Sequence, residues 1–258
     1  MRTFVISLKD AIERRHFMTQ QLEKLGIEFE FLDAFYGADY YNDEQYFVRE
    51  PSIKYEKRLM SPGEIGCALS HQAIYRKMLD ENIPYALIFE DDAVISPDIL
   101  KVLPELEKHI KPNQLITLAK CDLTYRKNKI HLYGDFFISK PYMIKYGSMA
   151  QTPGYIITKE AAKTILSINF PVYIPADSWG RYRKIIDFRG ITPTQTIVHQ
   201  NMDFESSIIS GTRNTISRST VFSLLFYNFY SHWAIGRLLK RIYQLTLKKL
   251  IKRQNKKK

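Results

Sequence analysis

The chain has 258 residues, 45% hydrophobic and 13% aromatic, enough to bury one substantial core, and its two cysteines, Cys67 and Cys121, exclude a disulfide framework and a paired-cysteine zinc site. The formal net charge of +11 is unevenly spread: residues 237–258 hold ten Lys or Arg and no acid, which leaves the first 236 residues at +1. A nearly neutral body argues against a nucleic-acid surface spread over the fold, and the cysteine usage fits a reducing cytoplasm.

In chain order, TFVISL predicts a buried first strand, too short for a signal-peptide core. A helix over 10–25 follows, stopping at Gly26, and IEFEFLDAF predicts a second strand. The tyrosine-rich stretch 36–57 has no clean period and reads as loop or short helices. Ser61-Pro62-Gly63-Glu64 is a capping box with proline at the first helical position, opening a helix through Leu79. After a turn at 82–84 come the strand YALIFEDD, a helix over 97–110 and the buried strand QLITLAK. Short β runs between 130 and 158, a helix over 159–168 and polar loop beyond Pro193 complete the body. Repeated β and α units over the first 120 residues predict an α/β fold with a mostly parallel central sheet and helices on both faces.

Chemistry concentrates where YALIF leaves the sheet, at Glu90, Asp91 and Asp92. Ligands of open α/β sheets bind at the carboxyl ends of strands, and clustered carboxylates there can hold magnesium or manganese; a solvated strand end before a helix cap is the plain alternative. Strand alternation sets Glu90 and Asp92 on one side and Asp91 on the other.

Four segments, FVISLKDAIERR, SPGEIGCALSHQAIYRKML, ALIFEDDAVI and PGYIITKEAAKTIL, together resemble glycosyltransferase family 25, a lipopolysaccharide-biosynthesis family, over roughly residues 1–210. The resemblance implies a GT-A-like domain over 1–219, a UDP-sugar donor, and inverting transfer of a hexose to a terminal sugar of lipooligosaccharide. The resemblance favours galactose as the sugar, with glucose the close second, and a β-linkage such as β-1,4. It also makes the acidic triplet this family's DxD-like metal site, with Asp92 the direct ligand and Glu90 or Asp91 supporting it or the ribose.

Other donor-site candidates fall at strand ends and on the capped helix. Ser7, Leu8 and Arg14 lie where backbone groups and a cation can meet a diphosphate; Arg14 and Arg15, adjacent on a helix, are not expected both to face inward. Asp33 and Ala34 end the second strand, as ribose ligands or as a simple turn. Gly63 and Gly66 allow close backbone approach to the donor, and Ser70 and His71 lie one turn further on. By type alone His71 reads as a buried structural histidine; the family motif makes it line the site. Cys67 reads as a packed residue with no base beside it.

Inverting transfer needs a base for the acceptor hydroxyl. Asp177, in IPADSWG, is the choice, with Trp179 as a platform for the acceptor's apolar face; a helix N-cap is its other reading, and Asp187 and Asp203 are rivals. His199 is a further metal or diphosphate ligand, and Ser206, Ser207 and Arg213 are placed to close over the diphosphate.

The apolar run 221–236 is interrupted and shorter than the ~20 residues a spanning helix needs. Leu238, Leu239, Ile242, Leu245, Leu250 and Ile251 then recur near helical spacing among lysines and arginines. Residues 220–258 are thus expected to form a basic amphipathic helix on an anionic membrane surface, which places the protein peripherally on the cytoplasmic face of the inner membrane. Two other classes remain open: a metal-dependent nucleotidyltransferase, and a membrane-peripheral protein that binds sugar nucleotides without catalysis.

Overall fold

The computed structural model describes residues 1–56, 58–119, 123–144, 151–192 and 197–204. Ser206, Ser207, Arg213 and the basic tail lie outside the described residues. Among these residues no helix is long and apolar enough to cross a membrane.

The chain opens as expected with β1 (Arg2–Ser7), α1 (Ile12–Lys24) and β2 (Glu30–Asp33). Gly26 takes φ +66°, a conformation that costs glycine little and ends the helix. Two short helices, α2 (Gly37–Tyr40) and α3 (Arg49–Glu56), precede α4 (Pro62–Asp80). The α4 capping box forms on both sides: Ser61 Oγ accepts from the Glu64 N–H, and Glu64 Oε2 accepts from the Ser61 N–H at 2.8 Å. Next come β3 (Tyr85–Glu90), β4 (Ala93–Ile95), α5 (Ile99–Glu107) and β5 (Gln114–Thr117). A long hairpin, β6 (Leu123–Tyr133) and β7 (Phe136–Ile144), leads to β8 (Gly154–Thr158), α6 (Lys159–Asn169), α7 (Trp179–Tyr182), β9 (Asp187–Thr192) and β10 (Val198–Gln200).

Eight strands form one sheet in the order β2-β1-β3-β8-β5-β9-β7-β6, while β4 and β10 pair separately. Parallel pairing holds for β2-β1-β3, as the opening βαβ pattern requires, and for β5-β9. The remaining four pairs are antiparallel, so the sheet is mixed rather than mostly parallel. Two of these pairs come from β8, a strand from late in the chain that inserts antiparallel between β3 and β5, and two from the β6-β7 hairpin added beside β9.

Period-two alternation divides the core between the two sheet faces. Phe4, Ile6, Ala86, Ile88, Tyr155 and Ile157 face α4 and α6, with Ile74, Met78 and Ile165. Val5, Leu87, Phe89 and Ile156 face the other way, onto Met18 and Leu22 of α1 and Ile99, Val102 and Leu106 of α5. Helices on both faces were expected, and the two clusters realise them.

A third cluster packs α2 and the segments flanking α3 against the N-terminal half of α4 around Phe47, Met60, Ile65 and Leu69. Gly66 makes this possible. A Cβ there would sit 2.4 Å from the Phe35 carbonyl and 2.7 Å from the Gly37 nitrogen, both immovable backbone. Alanine ordinarily gains about 1 kcal/mol over glycine inside a helix, but overpacking against backbone costs about 1–3 kcal/mol or more and wins. Gly66→Ala is therefore expected to lower the melting temperature by several degrees, roughly 2–4 °C per kcal/mol in a domain of this size. An unchanged melting curve would show that this contact is not tight.

Candidate active site

Because β2, β1 and β3 run parallel, their carboxyl ends emerge together and bring Asp33, Ser7 and Glu90 to one edge of the sheet. The start of β8 meets the same edge from the opposite direction, since Gly154 pairs with Phe89. That edge is ringed by α1, the N-terminal part of α4 and the β4-β10 ribbon.

Each acid of the triplet finds a different neighbourhood. Asp91 turns toward the first βα unit, accepting from Ser7 Oγ at 2.7 Å and from Arg14 Nη1 at 2.8 Å. Glu90 turns toward α4: His71 Nε2 lies 3.2 Å from Glu90 Oε1, Cys67 Sγ lies 3.7 Å from the same oxygen, and Thr152 Oγ1 donates to it. Burial works against the Glu90 charge, but His71, Thr152 and Cys67 hold its carboxyl below the usual range. Asp92 Oδ2 accepts from Gln200 Nε2 at 2.8 Å and lies 4.0 Å from Arg14, while its Oδ1 is buried without a hydrogen-bond partner. Burial, then the charges of Glu90 and Asp91, push the Asp92 carboxyl up to about 6. The expected split is corrected: β3 ends at Glu90, so strand alternation does not extend to the next two residues, and Asp91 and Asp92 share Arg14 Nη1 at 2.8 and 4.0 Å while Glu90 turns away to α4.

A hydrogen-bonded chain runs inward from Glu90. His71 Nδ1 is 2.7 Å from the Tyr155 hydroxyl, which is 2.8 Å from the Tyr75 hydroxyl. An ionised Glu90 accepts from Nε2–H, so Nδ1 carries the lone pair and accepts from Tyr155. His71 is both buried and aimed at the site, reconciling the two readings of its type.

The other predicted residues fall as follows. Ser7 O accepts from the Ala34 N–H at 2.9 Å, tying β1 to the end of β2. Ser70 Oγ donates to Gly66 O at 2.6 Å and accepts from the Phe35 N–H at 2.9 Å, bracing the edge from beneath. Gly63 sits half-buried in the first turn of α4, and the close approach at Gly66 is to Phe35 and Gly37 of the chain itself. Arg15 corrects the expectation that it and Arg14 diverge: it reaches Leu8 O at 3.0 Å and Ser7 O at 3.1 Å and pairs with Asp33, which is 58% exposed. Two neighbouring arginines reach the same edge because their long side chains bend to partners on either side of β1.

Asp177 lies half-buried in the turn before α7. Burial, then Glu90, Glu64 and Glu56, raise its carboxyl to about 6. It does not cap α7, whose N-cap is Ser178 and lacks a side-chain cap bond. Trp179 is no platform: at 1% exposure it packs edge-on to Tyr155 and donates to Gln151 O at 3.0 Å. Asp187 starts β9 at the opposite edge, bonded to Gln114, Lys140 and Arg189, and Asp203 is exposed. His199 pairs with Val94 and is exposed; its neighbour Gln200 reaches Asp92, and the Asn201 N–H bonds Asp92 O at 2.7 Å. The alternation of β10 carried no sign of which residue would turn inward. Thr152 and Tyr155 also carried none, being ordinary residues at the start of a strand.

Carboxylates and arginines gathered at the carboxyl ends of parallel strands define an open α/β protein with its polar site at the strand-end edge. Comparison with known proteins gives the family. Glycosyltransferase family 25 (LPS biosynthesis protein) matches residues 1–179, and the chain belongs to it. Among its relatives, the lacto-N-neotetraose biosynthesis glycosyltransferase LgtE of Neisseria meningitidis is 28% identical, the match covering 74% of this chain and 70% of the relative. The lipooligosaccharide biosynthesis protein lic2B of Haemophilus influenzae is 29% identical over 63% of this chain and 61% of its own. A solved glycosyltransferase involved in glycosylation of the major capsid of PBCV-1 shows a faint likeness, 11% identity and a TM-score of 0.29 over 65% of this chain and 67% of that one.

Proposed function

We propose that the protein is an inverting, GT-A-like hexosyltransferase. In this reading it transfers galactose from UDP-galactose to a terminal sugar of lipooligosaccharide and forms a β-linkage. Membership of family 25 and the names of the two bacterial relatives support the substrate class. The observation that carries the mechanism is the buried, unpartnered Oδ1 of Asp92 at the carboxyl ends of the parallel strands, with Asp92 and Asp177 each within electrostatic reach of Glu90.

Asp92 fits a hard divalent cation such as manganese or magnesium: one of its oxygens is buried and unpaired, and two further carboxylates adjoin it. Asp92 would hold the cation, with Glu90 beside it and Asp91 kept in place by Ser7 and Arg14. When bound, such a cation offsets charge on the departing diphosphate. Arg14 and Arg15 add positive charge at the same edge for the phosphates and the Asp33 side. Asp177 takes the proton of the acceptor hydroxyl; its raised affinity for protons suits a base working near neutrality. The ten bases of residues 237–258 would draw the enzyme to the anionic cytoplasmic face of the inner membrane, where a lipid-anchored acceptor is presented.

UDP release from the purified chain with manganese tests this, comparing UDP-galactose, UDP-glucose and their N-acetyl forms with and without a truncated lipooligosaccharide. Acceptor-stimulated, chelator-sensitive release from UDP-galactose is expected. The same behaviour with UDP-glucose alone would change the sugar and leave the mechanism. Pyrophosphate as the product, or no turnover of any donor by folded protein, would overturn the reading.

A further inference from the structure

Beside the oxygen-lined Asp92 lies a set of donors of different chemistry. Cys67 and His71 are four residues apart on α4 and so share one helix face, which points at the end of β3. Cys67 Sγ, His71 Nε2 and Glu90 Oε1 lie within 4.8 Å of one another. Tetrahedral zinc with ordinary bond lengths separates a nitrogen and an oxygen ligand by about 3.4 Å, and a sulfur and an oxygen by about 3.6 Å. The corresponding separations here are 3.2 Å and 3.7 Å.

The surroundings hold the ligands in place, although burial and then Glu90 push the Cys67 thiol up, so its proton must be displaced by the ion itself. Tyr155 occupies the other ring nitrogen of His71 at 2.7 Å, the outer-sphere bond that fixes the ring of a metal-bound histidine. Thr152 and the Tyr155-Tyr75 pair hold Glu90 and His71 from behind. The Glu90 side chain keeps 22% of its surface open, which leaves an entry path and a fourth position for water.

We propose that Cys67, His71 and Glu90 form a binding site for a soft divalent cation, zinc above all, separate from the hard-cation position at Asp92. Thiolate and imidazole favour zinc, whereas an all-oxygen set favours magnesium or manganese. On binding, the Cys67 thiol gives its proton to solvent, and His71 passes to its other tautomer, its proton leaving Nε2 for Nδ1 and the Tyr155 hydroxyl turning to accept it; the sulfur-metal and nitrogen-metal bonds form, and the hydrogen bonds of Cys67 and His71 to Glu90 are replaced by three bonds to one ion. Zinc held there occupies the oxygen through which Glu90 faces its neighbours. It is therefore expected to slow transfer, a consequence that rests on the proposed function; the binding itself does not.

Cobalt titration of the chelator-treated full chain, followed by zinc displacement, tests the site without any donor or acceptor. One equivalent of cobalt is expected to give a sulfur-to-cobalt charge-transfer band that zinc abolishes. X-ray absorption of the zinc form should show one sulfur at about 2.3 Å among nitrogen and oxygen neighbours. The band should vanish, and zinc affinity fall by about 10–100-fold or more, in Cys67→Ser and Cys67→Ala, and survive in Asp92→Asn. A zinc shell without sulfur in the unaltered chain, or a band that persists in both Cys67 variants, overturns the proposal whatever the transfer assay gives.

Discussion

Asp177→Asn lowers acceptor-dependent transfer by about 10²–10⁴-fold while donor binding stays at its unaltered level, the expected loss for removing a general base. Asparagine preserves the shape of the side chain and cannot accept the proton. UDP and manganese affinities, measured by calorimetry, report the donor site independently, because Asp177 sits before α7 and outside the triplet. Its carboxyl titrates near 6, so the active, ionised form grows as pH rises and turnover should climb between about pH 5 and 7. Asp92 titrates in the same range, and the two share one apparent step in a pH profile. Near-normal turnover of Asp177→Asn would remove it from the mechanism.

Asp92→Asn is expected to abolish metal-stimulated transfer, by about 10²-fold or more, and at the same time to stabilise the metal-free fold. The second effect follows from the sign of the shift. A carboxyl raised from 3.8 to about 6 binds its proton more tightly in the folded state, so the stability it contributes is complete below about pH 3.8 and lost as pH rises through about 6. At neutral pH the buried, repelled charge costs on the order of 2 kcal/mol, which asparagine removes, and the melting temperature should rise by roughly 4–8 °C. Manganese should raise the melting temperature of the unaltered chain and leave that of the variant nearly unchanged. A variant that is both less stable and still stimulated by manganese would place the cation elsewhere.

What the amino-acid order disclosed was local. The Ser61 capping box, the stop at Gly26 and the acids at the end of YALIF each follow from a few neighbouring residues, and each appears where expected. Strand order is not local: no feature of PGYIIT announces that it lies antiparallel between two strands from the first 120 residues, and that insertion, with the β6-β7 hairpin, makes the sheet mixed. The same limit separates the candidates of the site. Triplet and capped helix meet because β3 and α4 are sequence neighbours, whereas Gln200 reaches Asp92 across 108 positions through a three-residue ribbon. Trp179 was misjudged because a loop residue and a core residue look alike when the loop packs against the sheet, as this one does on Tyr155 and Phe188.

That ribbon also bears on where the working unit of the chain ends. A protein cut after residue 192 would retain all eight strands of the central sheet, and one cut at 179 would span the whole family match. Both would lack Gln200 and Asn201, the two residues that brace the side chain and the carbonyl of Asp92. The smallest fragment able to keep its acidic turn intact thus extends at least to residue 201, about twenty positions beyond the stretch by which the family is known.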